Sequence, residues 1–212
     1  MGLPTSLSDD DSLLIADTST VINLNATGCA EAILRALPYR VAVVDVVADE
    51  LENGKSKGRN DTGKLAELIT ENLIEVVTLS PQGLIHFESL VLGAASETLD
   101  DGEAATIAYA ADASAVALID ERKAIRLGAA RFPDLRLGCS VDLFAHASVQ
   151  SALGRTRLAD AVHRALRDAR MRVLPHHLDG IIELIGNERV AQCVSLPRVV
   201  RSQSRSRTKA PP

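Results

Sequence analysis

The 212-residue chain has almost no aromatic surface: aromatic residues make up 2% of it and tryptophan is absent. That excludes a platform that stacks successive bases on rings. Cysteine is scarce as well. Cys29, Cys139 and Cys193 are odd in number and widely spaced, so they give neither a disulfide framework nor a paired metal-ligand motif. A reducing cytoplasm is the expected compartment. No apolar run approaches the ~20 residues that cross a bilayer. The opening Met1-Gly2-Leu3-Pro4, with Asp9-Asp10-Asp11 behind it, lacks the basic and apolar regions of a secretory signal, so no membrane association is expected. Of the histidines only His176 and His177 are adjacent. They follow Pro175, which predicts a turn rather than a zinc site.

What is present is an ordinary globular composition, 46% hydrophobic and 24% charged, long enough for one domain with a sizeable core. The net charge of −5 is unevenly spread. From Gly186 to Pro212 there are six basic residues and one acid, giving +5 and leaving −10 for the rest. An acidic body with a basic tail is not a uniformly basic nucleic-acid surface.

Short apolar runs alternate with amphipathic stretches. Leu13-Leu14-Ile15-Ala16, Arg40–Val44, Ile74–Leu79, Ala115–Ile119 and Leu135-Arg136-Leu137 read as strands. Between and after them, Thr18–Asn25, Ala30–Leu37, Asp45–Glu52, Asp61–Asn72, Leu84–Ala95, Glu103–Ala111, Arg122–Arg131, Val141–Leu153, Arg157–Arg170 and Leu178–Ile185 read as helices. This order predicts an α/β fold with a mainly parallel sheet covered by helices on both faces. One domain is expected over 12–185, preceded by a mobile acidic segment, 1–11, and followed by a disordered basic tail, 186–212.

Four of these pieces carry one carboxylate each. Asp17 and Asp120 end strands; Glu50 lies in the helix after Arg40–Val44; Glu103 lies in the first turn of an alanine-rich helix. In an open α/β sheet, ligands bind outside the C-terminal ends of the strands. If the strands ending in Asp17 and Asp120 are neighbours, both acids open onto one crevice. Each acid also has a plain structural reading. A strand-end acid caps the next helix, a first-turn Glu answers the helix dipole, and Asp100 and Asp101 compete with Glu103 for that place. Gathering several acids is costly without a cation, so a divalent-metal site and metal-assisted hydrolysis lead the functional reading.

The ordered motifs Asp17-Thr18-Ser19, Val47-Ala48-Asp49-Glu50-Leu51, Gly102-Glu103-Ala104-Ala105 and Leu118-Ile119-Asp120-Glu121-Arg122-Lys123 resemble the PIN-domain nuclease family, and within it the VapC-like branch. The resemblance covers about residues 12–185. It implies a Rossmann-like α/β/α sandwich in which Asp17, Glu50, Glu103 and Asp120 bind Mg²⁺ or Mn²⁺ and catalyse RNA cleavage. It also implies that Thr18 and Ser19 position a water or a phosphate oxygen. RNA contacts are expected from Lys55, Lys57 and Arg59 in a Gly-bounded loop, and from Arg122 and Lys123 beside Asp120. An antitoxin protein and a homodimer are the expected partners.

Compared with the compact toxins of that branch the chain is long, with extra residues in 141–185 and in the tail. Residues 157–185 are expected to form a helical hairpin that covers an edge or builds a dimer contact. Two rivals stand beside the nuclease. A haloacid-dehalogenase-type phosphatase requires a second Asp two residues after Asp17, where this chain has Ser19. A catalytically silent PIN-like module that binds RNA or protein would keep the fold without the chemistry.

Overall fold

The computed structural model describes residues 3–54 and 61–202. Five strands, β1 (Leu13–Ala16), β2 (Arg40–Val44), β3 (Glu75–Val77), β4 (Val116–Leu118) and β5 (Arg136–Gly138), form one sheet in the order β3-β2-β1-β4-β5. Every pairing is parallel. The chain builds outward from β1 to β3 and then restarts at β4 on the other side of β1. The break in strand order therefore falls between β1 and β4, where Ala16 is in register with Leu118.

Strand side chains alternate between two cores, as the period of two requires. Leu14, Ala16, Val41, Val43, Val116 and Leu118 face one core. Against them lie α1 (Thr18–Thr27), α2 (Ala30–Ala36), α3 (Asp45–Gly54), α4 (Asp61–Thr70), α8 (Ser140–Ala145), α9 (Ala147–Asp168) and α10 (Leu178–Ile185). Ile15, Ala42, Val44, Ala117 and Ile119 face the other core, under α5 (Pro81–Val91), α6 (Asp101–Ala113) and α7 (Arg122–Arg131). The result is the three-layer α/β/α sandwich expected from the alternation of elements. Because Ala104, Ala105 and Ala108 of α6 are fully buried, that helix sits close to the sheet and its first turn stays near the strand ends.

Three features differ from the sequence reading. Residues 3–11 are anchored: Leu3 and Leu7 are buried, and the Ser6 N–H donates to Asp142 Oδ1 at 2.6 Å. Asp11 pairs with Arg136. The acidic run had masked the two leucines. Asp142, in α8, also accepts from the Cys139 N–H at 2.8 Å. Burial alone would raise its pKa, but the His177 ring, the Ser6 amide and Cys139 outweigh it and hold the carboxyl at about 2.

Second, the packed core runs past 185. A short helix α11 (Asn187–Val190) follows α10, and Val190, Cys193 and Leu196 are buried. Third, α9 packs on the helices α1, α2 and α8, with α10 beside it. Its break comes at Gly154, whose φ of 66° and ψ of 161° are non-helical and disfavour any residue with a Cβ.

Candidate functional site

The break between β1 and β4 sets the geometry. Asp17 follows the last residue of β1 and Asp120 comes two residues beyond β4, so parallel neighbours deliver both carboxylates to one end of the sheet. Both are almost wholly buried, 2% and 3% exposed. Asp17 does serve as the N-cap of α1: its Oδ1 accepts from the Thr20 N–H at 2.7 Å. Ser19 Oγ donates to Oδ2 at 2.8 Å, which holds the carboxylate in one orientation.

Glu50 comes from α3 and Glu103 from α6. The Thr18 hydroxyl donates to Glu50 Oε2, and the Gly102 N–H donates to Glu50 Oε1 at 2.8 Å. Glu50 is thus tied both to the residue after Asp17 and to the residue before Glu103. Gly102 permits this because a Cβ there would meet the Glu50 carboxylate and lie 2.8 Å from Thr18 Oγ1. Asp100 takes the N-cap position of α6 and Asp101 is exposed, while Glu103 is partly buried.

Electrostatics couple Asp17 to the other three acids. Burial raises the Asp17 pKa, its hydrogen bonds from Thr20 and Ser19 oppose the rise, and Glu50 adds to it. Burial, and then the charge of Asp17, push Asp120 up to about 7. Burial, and then Asp17 and Asp100, push Glu103 up to about 7, with Lys123 pulling the other way. Like charges forced together behave in this way unless a cation neutralises them.

Two residues in this cluster escaped the sequence reading. Asn23 Nδ2 donates to Asp120 Oδ2 at 2.7 Å, and Ser140 donates twice, from its N–H at 2.8 Å and its hydroxyl at 2.6 Å. Ser140 lies just past β5, the strand next to β4. The strand-end rule that found Asp120 therefore also pointed to Ser140. Asn23 had a weaker signal, a polar residue on the buried face of α1.

Among the expected RNA contacts, Arg122 is exposed at the start of α7. Lys123 donates to the Ala95 carbonyl at 2.7 Å while remaining close enough to lower the Glu103 pKa. Glu121, between Asp120 and Arg122, pairs with Arg172. Lys55, Lys57 and Arg59 lie outside the described residues.

Residues 13–187 match a family model described as a PIN domain. The chain belongs to the PIN-domain family. Its five-stranded parallel sheet and helical layers have the PIN-like, Rossmann-like architecture that the ordered motifs implied. Among solved structures, the chain is similar to one titled as VapBC2 from Rickettsia felis bound to a DNA fragment from their promoter. The identity is 18% and the TM-score 0.42, over 60% of this chain and 98% of the other. No curated protein matches. PIN domains are in general nucleases.

Proposed function

We propose that this PIN domain is a Mg²⁺- or Mn²⁺-dependent endoribonuclease whose site is Asp17, Glu50, Glu103 and Asp120. The observation that supports the reading is that Glu50 from α3, Glu103 from α6 and Asp120 after β4 each lie near enough to the buried Asp17 for their charges to couple, although no three of the four carboxylates come within 4.8 Å of one another. The donor set fits the group. It offers oxygen ligands alone, which suit a hard cation that keeps several waters. A bound divalent cation supplies an activated water and neutralises charge at the scissile phosphate.

The protein's own residues then have separable tasks. Asp17 and Asp120 are fixed by hydrogen bonds before any ligand arrives, so little ordering is required on binding. Ser140 and Asn23 position Asp120. Thr18 holds Glu50, Ser19 holds Asp17, and either hydroxyl can turn toward a water or phosphate oxygen. Arg122 and Lys123 supply positive charge beside an otherwise acidic crevice, and such contacts bind RNA without reading its sequence.

A toxin role with an antitoxin partner, in the cytoplasm, follows from the resemblance to the VapC-like branch. The exposed Leu84, Ile85 and Leu92 supply apolar surface for a homodimer.

The deciding experiment is RNA cleavage by the purified chain with Mn²⁺ or Mg²⁺ and with EDTA. Internal cuts that require the metal are expected. No cutting would leave a silent binding module, and cutting that persists in EDTA would contradict the metal-dependent reading.

Two further outcomes follow. Ser140→Ala and Asn23→Ala each remove a hydrogen bond to a charged acceptor, worth roughly 1.5–3 kcal/mol. Each is expected to weaken Mn²⁺ binding and cleavage by about 10–100-fold, measured by calorimetry and initial rates.

The second outcome concerns pH. In the metal-free protein the folded pKa values of Asp17, Glu103 and Asp120 lie above the unfolded values near ~4. On Glu103 and Asp120 the folded state therefore holds extra protons between about pH 4 and 7. The associated stability is fully present below ~4 and is lost as pH rises through ~7, on the order of a few kcal/mol. Melting in EDTA should fall from about pH 5 to 8, and Mn²⁺ should restore more at the higher pH. A flat profile in EDTA would contradict this electrostatic picture.

A further inference from the structure

Beside Ser140, three buried side chains meet. Cys139 precedes Ser140 at the end of β5, Asp142 lies in α8, and His177 closes a single 3₁₀ turn, Pro175–His177. One ligand atom from each lies within 4.8 Å of the other two. Cys139 Sγ is 3.1 Å from Asp142 Oδ2, and His177 Nε2 is 3.5 Å from Asp142 Oδ1. Tetrahedral zinc, with bonds of about 2.0–2.3 Å, sets its ligand atoms about 3.3–3.6 Å apart. The two separations from Asp142 are near that spacing, one to each carboxylate oxygen, and all three ligand atoms lie within 4.8 Å.

The second observation concerns His177 itself. It is 1% exposed, and neither ring nitrogen has a hydrogen-bond partner among the described residues. A buried imidazole with no hydrogen bond at either nitrogen, and only a 3.5 Å ion pair from Nε2 to Asp142, is costly. Its Nε2 is aimed at the Asp142 carboxylate without reaching hydrogen-bond distance, and a cation between them would satisfy both. The Ser6 and Cys139 N–H groups already orient the carboxylate, the arrangement that outer partners give a metal-binding acid.

We propose that Cys139, Asp142 and His177 form a second metal site, separate from the four-acid crevice, that takes one zinc ion. The mixed thiolate, imidazole and carboxylate set favours zinc over the hard cations suited to the crevice. Three protein ligands leave one position for water. As the sulfur–metal bond forms, the thiol proton is released to solvent and no electron is transferred. The ion ties together the β5–α8 turn, the 3₁₀ turn before α10 and, through Ser6, the N-terminal segment. Cys139 is covalently next to Ser140, so the same ion steadies the residue that holds Asp120.

Cobalt substitution of the full chain tests this, because a cobalt–thiolate bond absorbs in the near ultraviolet and carboxylates alone do not. Chelator-stripped protein titrated with Co²⁺ is expected to develop that charge-transfer band at one equivalent and to lose it when Zn²⁺ is added. Cys139→Ser and His177→Gln should abolish the band with circular dichroism unchanged, and Asp17→Asn should keep it. A wild-type protein without the band overturns the proposal regardless of how the variants fold. So does a band that survives Cys139→Ser, which would place the cobalt on another cysteine, or one that is lost in Asp17→Asn. Each readout is independent of RNA cleavage, so failure of the nuclease reading would leave it standing.

Discussion

Asp17→Asn is expected to lower metal-dependent RNA cleavage by about 10³-fold or more, equivalent to ~4 kcal/mol of transition-state stabilisation, while making the metal-free protein more stable. The two effects have opposite signs for a physical reason. Asp17 is the acid whose charge reaches Glu50, Glu103 and Asp120, so its loss removes the largest share of the mutual repulsion. The helix beneath it keeps its cap, because Asn accepts from the Thr20 N–H as Asp does. What disappears is one charge among the proposed cation ligands. A purely structural Asp17 would give a different result: stability unchanged or lower, and cleavage retained. Initial rates in Mn²⁺ and melting curves in EDTA, taken on the same preparation, separate the two cases.

Gly102→Ala is expected to cost about 1–3 kcal/mol of stability and to reduce cleavage by at least ~10-fold, although it adds only one methyl group and no charge. The new Cβ would meet the Glu50 carboxylate and lie 2.8 Å from Thr18 Oγ1. Glu50 receives hydrogen bonds from both neighbours, Thr18 Oγ1 and the Gly102 N–H. It cannot retreat without losing one or both. The effect on rate therefore comes through Glu50. Combined with Glu50→Gln, the glycine change should add little further loss, since residues acting through one group are not additive. Additive losses would show that Gly102 matters only for the packing of α6.

How much of this was legible in the sequence depended on whether a residue's partners were close in the chain. The parallel sandwich was readable because each apolar run and each helix carries its own period. Asp17 and Asp120 were readable as acids at strand ends, while the neighbouring of their strands, left as a condition by the sequence, is supplied by the structure. Glu103 needed the resemblance to select it over Asp100 and Asp101, and Glu50 depended on the resemblance almost entirely. The structure shows why Glu50 was opaque. Its hydrogen bonds are to Thr18 and Gly102, 32 and 52 residues away, and no local pattern encodes contacts at that distance. Asn23 and Asp120 are 97 residues apart and were hidden for the same reason.

The N-terminal segment was misjudged by composition. Asp9, Asp10 and Asp11 suggested a solvated lead-in, yet Leu3 and Leu7 are buried and Ser6 bonds to a residue 136 positions away. At the other end, the basic count of the tail obscured Val190, Cys193 and Leu196, which extend the core beyond α10. The proline before His176 and His177 did predict the turn. It gave no hint that the turn would carry a buried imidazole to Cys139 and Asp142.

The central claim is that Asp17, Glu50, Glu103 and Asp120 form one divalent-cation site that serves RNA hydrolysis. A crystal structure with Mn²⁺ and an uncleavable RNA analogue tests it most directly, through the anomalous scattering of manganese. The expected result is a manganese peak among these four carboxylates, bonded to Asp17 and to a phosphate oxygen of the RNA. Ordered RNA with no manganese at Asp17, or manganese bound only elsewhere on the protein, would contradict it.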